Sequence, residues 1–591
     1  MSGRNQETSQ HVAVVDLLAG AFLFLATAAF VFWQSTHLTV LWDLSYILEN
    51  ATRISLGQIP YRDFPFPYAP LTFLVQAAII RFFGPVVLHH YLYAAVSAAL
   101  ATVFTWRILL RLLAASRLPV RLTAFLLAVP LIFLGTSSIL PIPFYDSECT
   151  LFILCCIWLV LRLESEGYPP VATFACGVLL AVPPFIKQNT GLAFVLSTIM
   201  CIAYLGFRRS RIRRRRTGAL LLAGAAIGFS AALIIIQCTA GLGNYYHWTI
   251  QFAASRRLPG LSTMLGTYQD SALIWIFVVF TIGLALFLLR PVGLPASYWL
   301  AVALLSLPFL WAVAALFLEQ DASDRVEALL HLWPPLLVAS LIVSLLQLPR
   351  ADSFAQVCPF VLLAVIHGAF LSQQLWGSTY ALWPMLMILI ATILIGLCPC
   401  RGTGDWSEAR ERRAAKGEAS GLTPPLTIFA ALVSLALLIT GGYYSLSHER
   451  LDYVDLSGET LSRSNLPALR GLAMRGNWLP DFEELVAYTE REIPREDAIL
   501  MVPGEDLFYF TTGRTPQFPV IMMDNTVNPY SAAQLIELVR QRKVRWIVVK
   551  RSLQLQEQPV PFGPQLLDLA SQHFEPAESL NNYDIYRRKA E

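Results

Sequence analysis

The sequence predicts a polytopic α-helical membrane protein of about thirteen spans, followed by a small soluble α/β domain. Three observations carry this expectation. Of 591 residues, 56% are hydrophobic and 14% charged, and the mean hydropathy is +0.56, far to the apolar side of an ordinary soluble domain. Apolar runs near the ~20 residues that a helix needs to cross a bilayer recur through residues 1–446. From about Ser447 onward Asp, Glu and Arg return at soluble density, so the domains divide as 1–446 and 447–591. A net charge of +3, with arginines confined to short loops, speaks against a nucleic-acid partner. The nine cysteines fall mostly in or beside apolar runs and read as small packing residues rather than a disulfide framework or zinc site.

Spans are expected near 12–35, 86–110, 121–141, 149–163, 170–186, 190–207, 218–238, 271–289, 297–317, 331–347, 357–375, 380–398 and 424–446. The first contains Ala26-Thr27-Ala28, which imitates a cleavage site. Its apolar run continues through Phe30, Val31, Phe32 and Trp33, longer than a signal core, and reads as a spanning helix. Alternation then places on one side Arg107, Arg111, Arg117 and Arg121, the run Arg208–Arg216, and Arg401, Arg410, Arg412, Arg413 and Lys416. Positive charge gathers on the cytosolic side. The expected topology is therefore a multi-pass membrane protein with a cytoplasmic N-terminus and with Asp43 and the 447–591 domain outside.

After the first span comes an external loop, 37–85, containing LWDLSYILENATRISLGQIPYRDFPFPYAPLT (Leu41–Thr72). Asp43 stands at the membrane border. Leu44, Ile47, Leu48, Ala51 and Ile54 recur at helical spacing, with Glu49, Asn50 and Arg53 opposite, which predicts a short helix lying in the interface. Gly57 and Pro60 end it. Asp43 reads either as a helix N-cap or as a catalytic acid, and one role does not exclude the other. Residues 65–85, entered through Pro65, Pro67 and Pro70, are expected to be a partly embedded helix.

The order of apolar segment, Asp43, interfacial helix, Gly57, Tyr61-Arg62-Asp63-Phe64 and Tyr68-Ala69-Pro70-Leu71 resembles the first external loop of the GT-C membrane glycosyltransferases. Within them it looks closest to the bacterial branch related to protein O-mannosyltransferases and aminoarabinose transferases. The resemblance implies an active-site role for the loop acid, Asp43, and a sugar donor carried on polyprenyl phosphate. Tyr68-Ala69-Pro70 stands where many relatives carry a His-Pro-Pro-like triplet.

Further along, Pro141-Ile142-Pro143-Phe144-Tyr145-Asp146-Ser147-Glu148 brings a second acid to the same side. The resemblance assigns Asp146, with Asp63, to positioning the acceptor or to holding a divalent cation together with Asp43; the alternative is a capping acid. Lys187-Gln188-Asn189-Thr190-Gly191 sets a lysine between two apolar segments, where it must reach water or an anion, so it reads as a lipid-phosphate ligand or a snorkelling side chain. The loop 239–270 supplies Tyr245, Tyr246, His247, Trp248, Tyr268 and Asp270, suited to interfacial anchoring or to sugar faces. Glu319–His331 places Arg325 and His331 before another span; it reads either as a phosphate site, which an arginine fork fits, or as an ordinary charged loop with a histidine capping a membrane helix.

In 447–591, helices are expected at 480–493 and 531–542 and strands at 498–502, 544–549 and 583–586, an α/β pattern. Pro503-Gly504-Glu505-Asp506 reads as a turn. No nucleotide-binding, zinc-protease or EF-hand motif is present. The expected function is thus an inverting glycosyltransferase moving a sugar from a polyprenyl-phosphate donor in the membrane lipid to a glycan, lipid or protein acceptor outside. The competing expectations are a lipid-linked glycan polymerase or ligase, and a transporter or flippase, which would place charges at midplane and show repeated halves.

Overall fold

The computed structural model describes residues 2–38, 40–114, 116–208, 212–257, 261–289, 295–371, 381–397, 423–446, 461–524, 526–554, 568 and 571–590. Every expected span falls on a helix. In chain order the first nine helices are α1 (Ser2–Ser35), α2 (Trp42–Ser55), α3 (Leu71–Phe83), α4 (Val87–Leu113), α5 (Val120–Ala128), α6 (Tyr145–Glu166), α7 (Pro170–Leu180), α8 (Gln188–Arg208) and α9 (Ile212–Thr239). Three short helices follow, α10 (Leu242–Tyr246), α11 (Ala253–Arg257) and α12 (Leu261–Gly266), with a π-helical turn at His247–Phe252. Then come α13 (Leu273–Leu289), α14 (Pro295–Leu318), α15 (Ala322–Leu330), α16 (Trp333–Gln347), α17 (Phe354–Ala369), α18 (Trp383–Leu397) and α19 (Thr423–Leu446).

Among the described residues seven helices are long and apolar enough to cross a membrane. Others are shortened by proline. The span expected at 121–141 stops at Ile132, where a 3-10 turn containing Pro130 replaces the α-helix; a ring without an N–H cannot continue the ladder. The span expected at 170–186 ends in the same way at Pro183–Phe185. Small residues bring α7 and α9 close: a Cβ on Gly177 would fall 2.3 Å from the Leu221 carbonyl, the kind of approach that helix pairs in lipid favour. The Arg208–Arg216 side chains (apart from Arg216), residues 401–422, Cys398 and Cys400 lie outside the described residues.

Among its described residues the C-terminal domain holds α20 (Trp478–Glu492), α21 (Phe508–Thr512), α22 (Ala532–Gln541) and six strands. Strands β1 (Ser462–Arg463) and β2 (Ala473–Met474) pair antiparallel. Strands β3 (Ile499–Val502), β4 (Trp546–Lys550), β5 (Phe574–Ser579) and β6 (Tyr583–Arg588) form a sheet of order β3-β4-β6-β5, with β3 parallel to β4 and the other pairs antiparallel. The parallel pair is joined through α22, whose start carries a reciprocal Ser531–Gln534 capping box. Leu500, Val502 and Ile547 pack with Leu535 and Val539 in a core of their own.

The ends of α1 and α19 lie on one face. Gln34 Nε2 donates to the Ser445 carbonyl at 3.3 Å, and the Ser35 hydroxyl donates to the Pro141 carbonyl. The C-terminal domain docks on this face: Leu88 N, at the start of α4, donates to the Arg470 carbonyl at 3.1 Å.

Candidate functional site

The element that organises this face is α2. Its N-cap is Leu41, so Asp43 is the second helical residue, within the first turn, and the N-cap reading is corrected. A carboxylate there still complements the positive end of the helix dipole. Asp43 is half-buried. The apolar stripe packs inward, with Leu44, Ile47, Leu48 and Ala51 buried in the same core as Phe73 and Ala77 of α3.

The opposite stripe faces protein. Ser45, Glu49 and Arg53, spaced four apart, are all buried and meet the C-terminal domain in register. The Ser45 hydroxyl donates to the Glu505 carbonyl at 2.6 Å. Glu49 accepts from the backbone N–H groups of Tyr509 and Phe510, each at 3.2 Å. Arg53 donates to the carbonyls of Pro519 and Phe518 at 2.8 and 3.1 Å, and Gln554 Oε1 accepts from Leu41 N at 2.7 Å. Burial pushes the Glu49 carboxyl well above the ordinary glutamate value, and burial brings the Arg53 guanidinium down to about 10.

The loop that receives Ser45 is Pro503-Gly504-Glu505-Asp506. Gly504 has φ +87°, and a Cβ there would lie 1.7 Å from the Ile521 carbonyl, so the site requires glycine. Glu505 and Asp506 share the buried Lys550 ammonium at 2.6 and 2.7 Å, and Trp478 Nε1 donates to Asp506 at 2.8 Å. Burial works against the Lys550 charge, yet Asp506 and Glu505 outweigh it and hold its pKa above the ordinary lysine value. This loop, expected to be a simple turn, is a docking element.

On the membrane side, Asp146 and Lys187 form a buried ion pair, with 7% and 6% of their side chains exposed. Lys187 also lies 5.7 Å from the Tyr145 ring centre. Aromatic contacts link this pair to α2. Tyr145 meets Tyr68 at 5.1 Å, and Tyr68 meets Tyr46 at 5.2 Å; Tyr46 is one helical turn after Asp43 on the same face. Each polar residue after the break in α7 ties to a different neighbour. Lys187 takes Asp146, Gln188 Nε2 donates to the Pro67 carbonyl at 3.3 Å, and Asn189 Nδ2 donates to the Gly368 carbonyl at 2.8 Å.

Asp63 closes the turn of its own loop. Its Oδ2 accepts from Ile59 N at 2.7 Å and it pairs with the exposed Arg62 at 2.8 Å. The Arg62 hydrogen bond holds its carboxyl below the usual aspartate range. Arg325 donates through Nε to the Glu319 carbonyl at 2.9 Å and through Nη1 to the Tyr443 hydroxyl at 2.7 Å. Tyr443 belongs to α19, so this bond ties the α15 segment to the last turn of that helix. His331 follows α15 and pairs with Asp270 at 2.9 Å. Beside it the Tyr268 hydroxyl meets His367 Nε2 at 2.8 Å, one residue before the Gly368 carbonyl that Asn189 holds. Tyr245 of the outer loop packs on Tyr61 at 5.1 Å. Asp146 and Lys187 therefore meet directly, whereas Arg325 bonds to Glu319 and Tyr443 and His331 to Asp270.

Sequence reasoning left Glu148 without a role. It is buried, accepting from the Thr72 hydroxyl at 2.6 Å and from Gln76 Nε2 at 3.4 Å, while Gln76 Oε1 meets His90 Nδ1 at 2.7 Å. Its place two residues after Asp146 was the available signal. Among the described residues no group of three His, Cys, Asp or Glu side chains converges as a metal site. The Asp146 carboxylate is matched by an ammonium, a donor set that does not fit a divalent cation.

No protein-family model matches the chain, and no curated protein matches it. Among solved structures it is similar to ArnT from Cupriavidus metallidurans bound to undecaprenyl phosphate, at 14% identity over 98% of each chain and a TM-score of 0.43. The apo state of the same protein gives 14% identity over 98% of each chain and a TM-score of 0.45. The Archaeoglobus fulgidus oligosaccharyltransferase, solved with zinc and sulfate, is similar at 12% identity over 89% of this chain and 68% of that one, with a TM-score of 0.45.

Proposed function

We propose that this protein is an inverting GT-C glycosyltransferase that moves a sugar from a polyprenyl-phosphate donor to an acceptor on the outer membrane face. The observation that carries the reading is the meeting of the buried Asp146–Lys187 pair with the helix whose first turn holds Asp43, through Tyr145, Tyr68 and Tyr46. The resemblance of the first external loop to GT-C enzymes supplies the donor class.

In the proposed step the acceptor oxygen bonds to the anomeric carbon while the bond from that carbon to the phosphate oxygen breaks. Polyprenyl phosphate leaves with the electron pair, and the acceptor proton passes to the Asp43 carboxylate. Phosphate needs no acid to depart when cations meet its charge. Lys187, oriented by Asp146, and Arg325, held by Tyr443, are assigned that task, with His331 behind them. Asp63 acts on the acceptor through the shape of its loop. No step is routed through a metal.

The test is transfer from a labelled polyprenyl-phosphate sugar by the purified protein, followed by product extraction. Asp43→Asn should abolish transfer while membrane insertion and yield persist. Near wild-type turnover by that variant would overturn the assignment, and movement of intact donor across the bilayer without transfer would favour a flippase.

A further inference from the structure

The face opposite the docked domain carries a second polar feature that the proposed reaction does not use. Helix α4 begins against Arg470 of the C-terminal domain and, being 27 residues long, ends on the far side of the membrane layer. There α4 and α6 enclose a cavity of about 270 Å³ lined by Arg107, Leu110, Arg111, Trp158 and Arg162. Three arginine side chains therefore line one concavity with Leu110 and Trp158, and Arg107 and Arg162 lie near enough for their charges to act on Arg111.

The lining is organised. Arg111 Nη1 donates to the Leu161 carbonyl at 3.1 Å and to the Ser165 hydroxyl at 3.0 Å, which fixes its head between the two helices. Arg162 lies 5.5 Å from the Trp158 ring centre and gives its Nε to Glu166 at 2.7 Å. Arg107 lies 5.4 Å from the ring of Trp106. Glu166 pairs with Arg162, offsetting one of the three positive charges, and the cavity stays cationic. Planar guanidinium forks match phosphate oxygens, and a basic pocket between membrane helices with a tryptophan at headgroup depth is the arrangement that anionic headgroups occupy.

We infer that this cavity binds the phosphate group of an anionic phospholipid from the leaflet opposite the α1–α2 loop, with Leu110 and Trp158 against the glycerol and upper acyl carbons. The same chemistry would accept free inorganic phosphate, and the experiment separates the two sources. The full chain is reconstituted in nanodiscs holding equal phosphatidylglycerol and phosphatidylcholine, extracted mildly, and its retained lipid read by native mass spectrometry. The comparison is Arg107→Gln/Arg162→Gln, whose side chains are both exposed, with Arg107→Lys/Arg162→Lys as the charge-preserving variant.

Wild type should retain phosphatidylglycerol preferentially, and the glutamine variant should lose roughly tenfold or more of that preference, at about 1 kcal/mol per arginine removed. The lysine variant should keep part of it. Equal retention of the two lipids by wild type would overturn the proposal, as would unchanged preference in a monodisperse glutamine variant. Equal retention of the two lipids together with phosphate bound to the extracted wild type and absent from the glutamine variant would assign the cavity to the free ion and overturn the lipid reading.

Discussion

Asp146 and Lys187 show what a single pair of side chains contributes here. Both ions are almost wholly withdrawn from solvent, so each depends on the other for its charge to be tolerated. Lys187→Met strands a buried carboxylate and should cost about 3–5 kcal/mol, whereas Lys187→Met/Asp146→Leu removes both charges and should recover most of that. Thermal unfolding in detergent measures the difference. The double variant should be stable yet unable to transfer sugar, which separates the pair's chemical role from its structural one. Each residue was legible alone, because an ionisable group amid apolar sequence stands out. Their pairing was not, since 41 residues separate them and periodicity reports only neighbours within a turn. Glu148 was missed for the same reason: its partners Thr72, Gln76 and Tyr93 come from α3 and α4.

At the scale of the element, α2 was read correctly as an amphipathic helix ended at Gly57, whose φ is +96°. Its polar stripe, Glu49, Asn50 and Arg53, was placed opposite the apolar one with no partner named, and such residues are those an exposed face would carry. The stripe is instead buried under a second protein layer, a fact held in residues 505–554 and invisible to a local pattern. This placement has a pH consequence. Glu49 in the docked state has a pKa above its ordinary 4.5, so the docked form binds the proton more tightly than the undocked one. The corresponding stabilisation is present below pH 4.5 and declines as pH rises through the higher, docked value. Protease cleavage within the C-terminal domain should accelerate over that range in wild type. Glu49→Gln, which does not titrate, should give a profile without this limb, and a wild-type profile that is flat or reversed would refute the linkage.

For the whole molecule, the layout of apolar helices and an appended α/β domain was legible because membrane spans advertise themselves by length and hydropathy. Helix ends were less so where Pro130 and Pro183 convert α-helix into 3-10 turns. Strand β5 went unread: it is an edge strand, mostly exposed, with a proline at position 576 and only Phe574 buried, which is where sheets tolerate such residues. The two layers share one continuous hydrophobic core that runs from Leu23 through Leu44 and Tyr91 to Phe482 and Tyr583. Removing residues 447–591 should therefore disturb the first loop as well as delete a domain. Hydrogen exchange should show amides of residues 42–58 losing protection in the truncated chain while those of α8 and α17 keep theirs, and transfer should be lost.

Ser45 lies 460 residues before the carbonyl that receives its proton. At ~5–20 residues per second a ribosome needs roughly 20–90 s to make that interval. Throughout it the helix bearing Asp43 has been inserted but lacks its cover. On the proposed function, a nascent or prematurely terminated copy lacks the layer that holds Leu41, Ser45 and Glu49 of this helix, and the last quarter of translation completes the site.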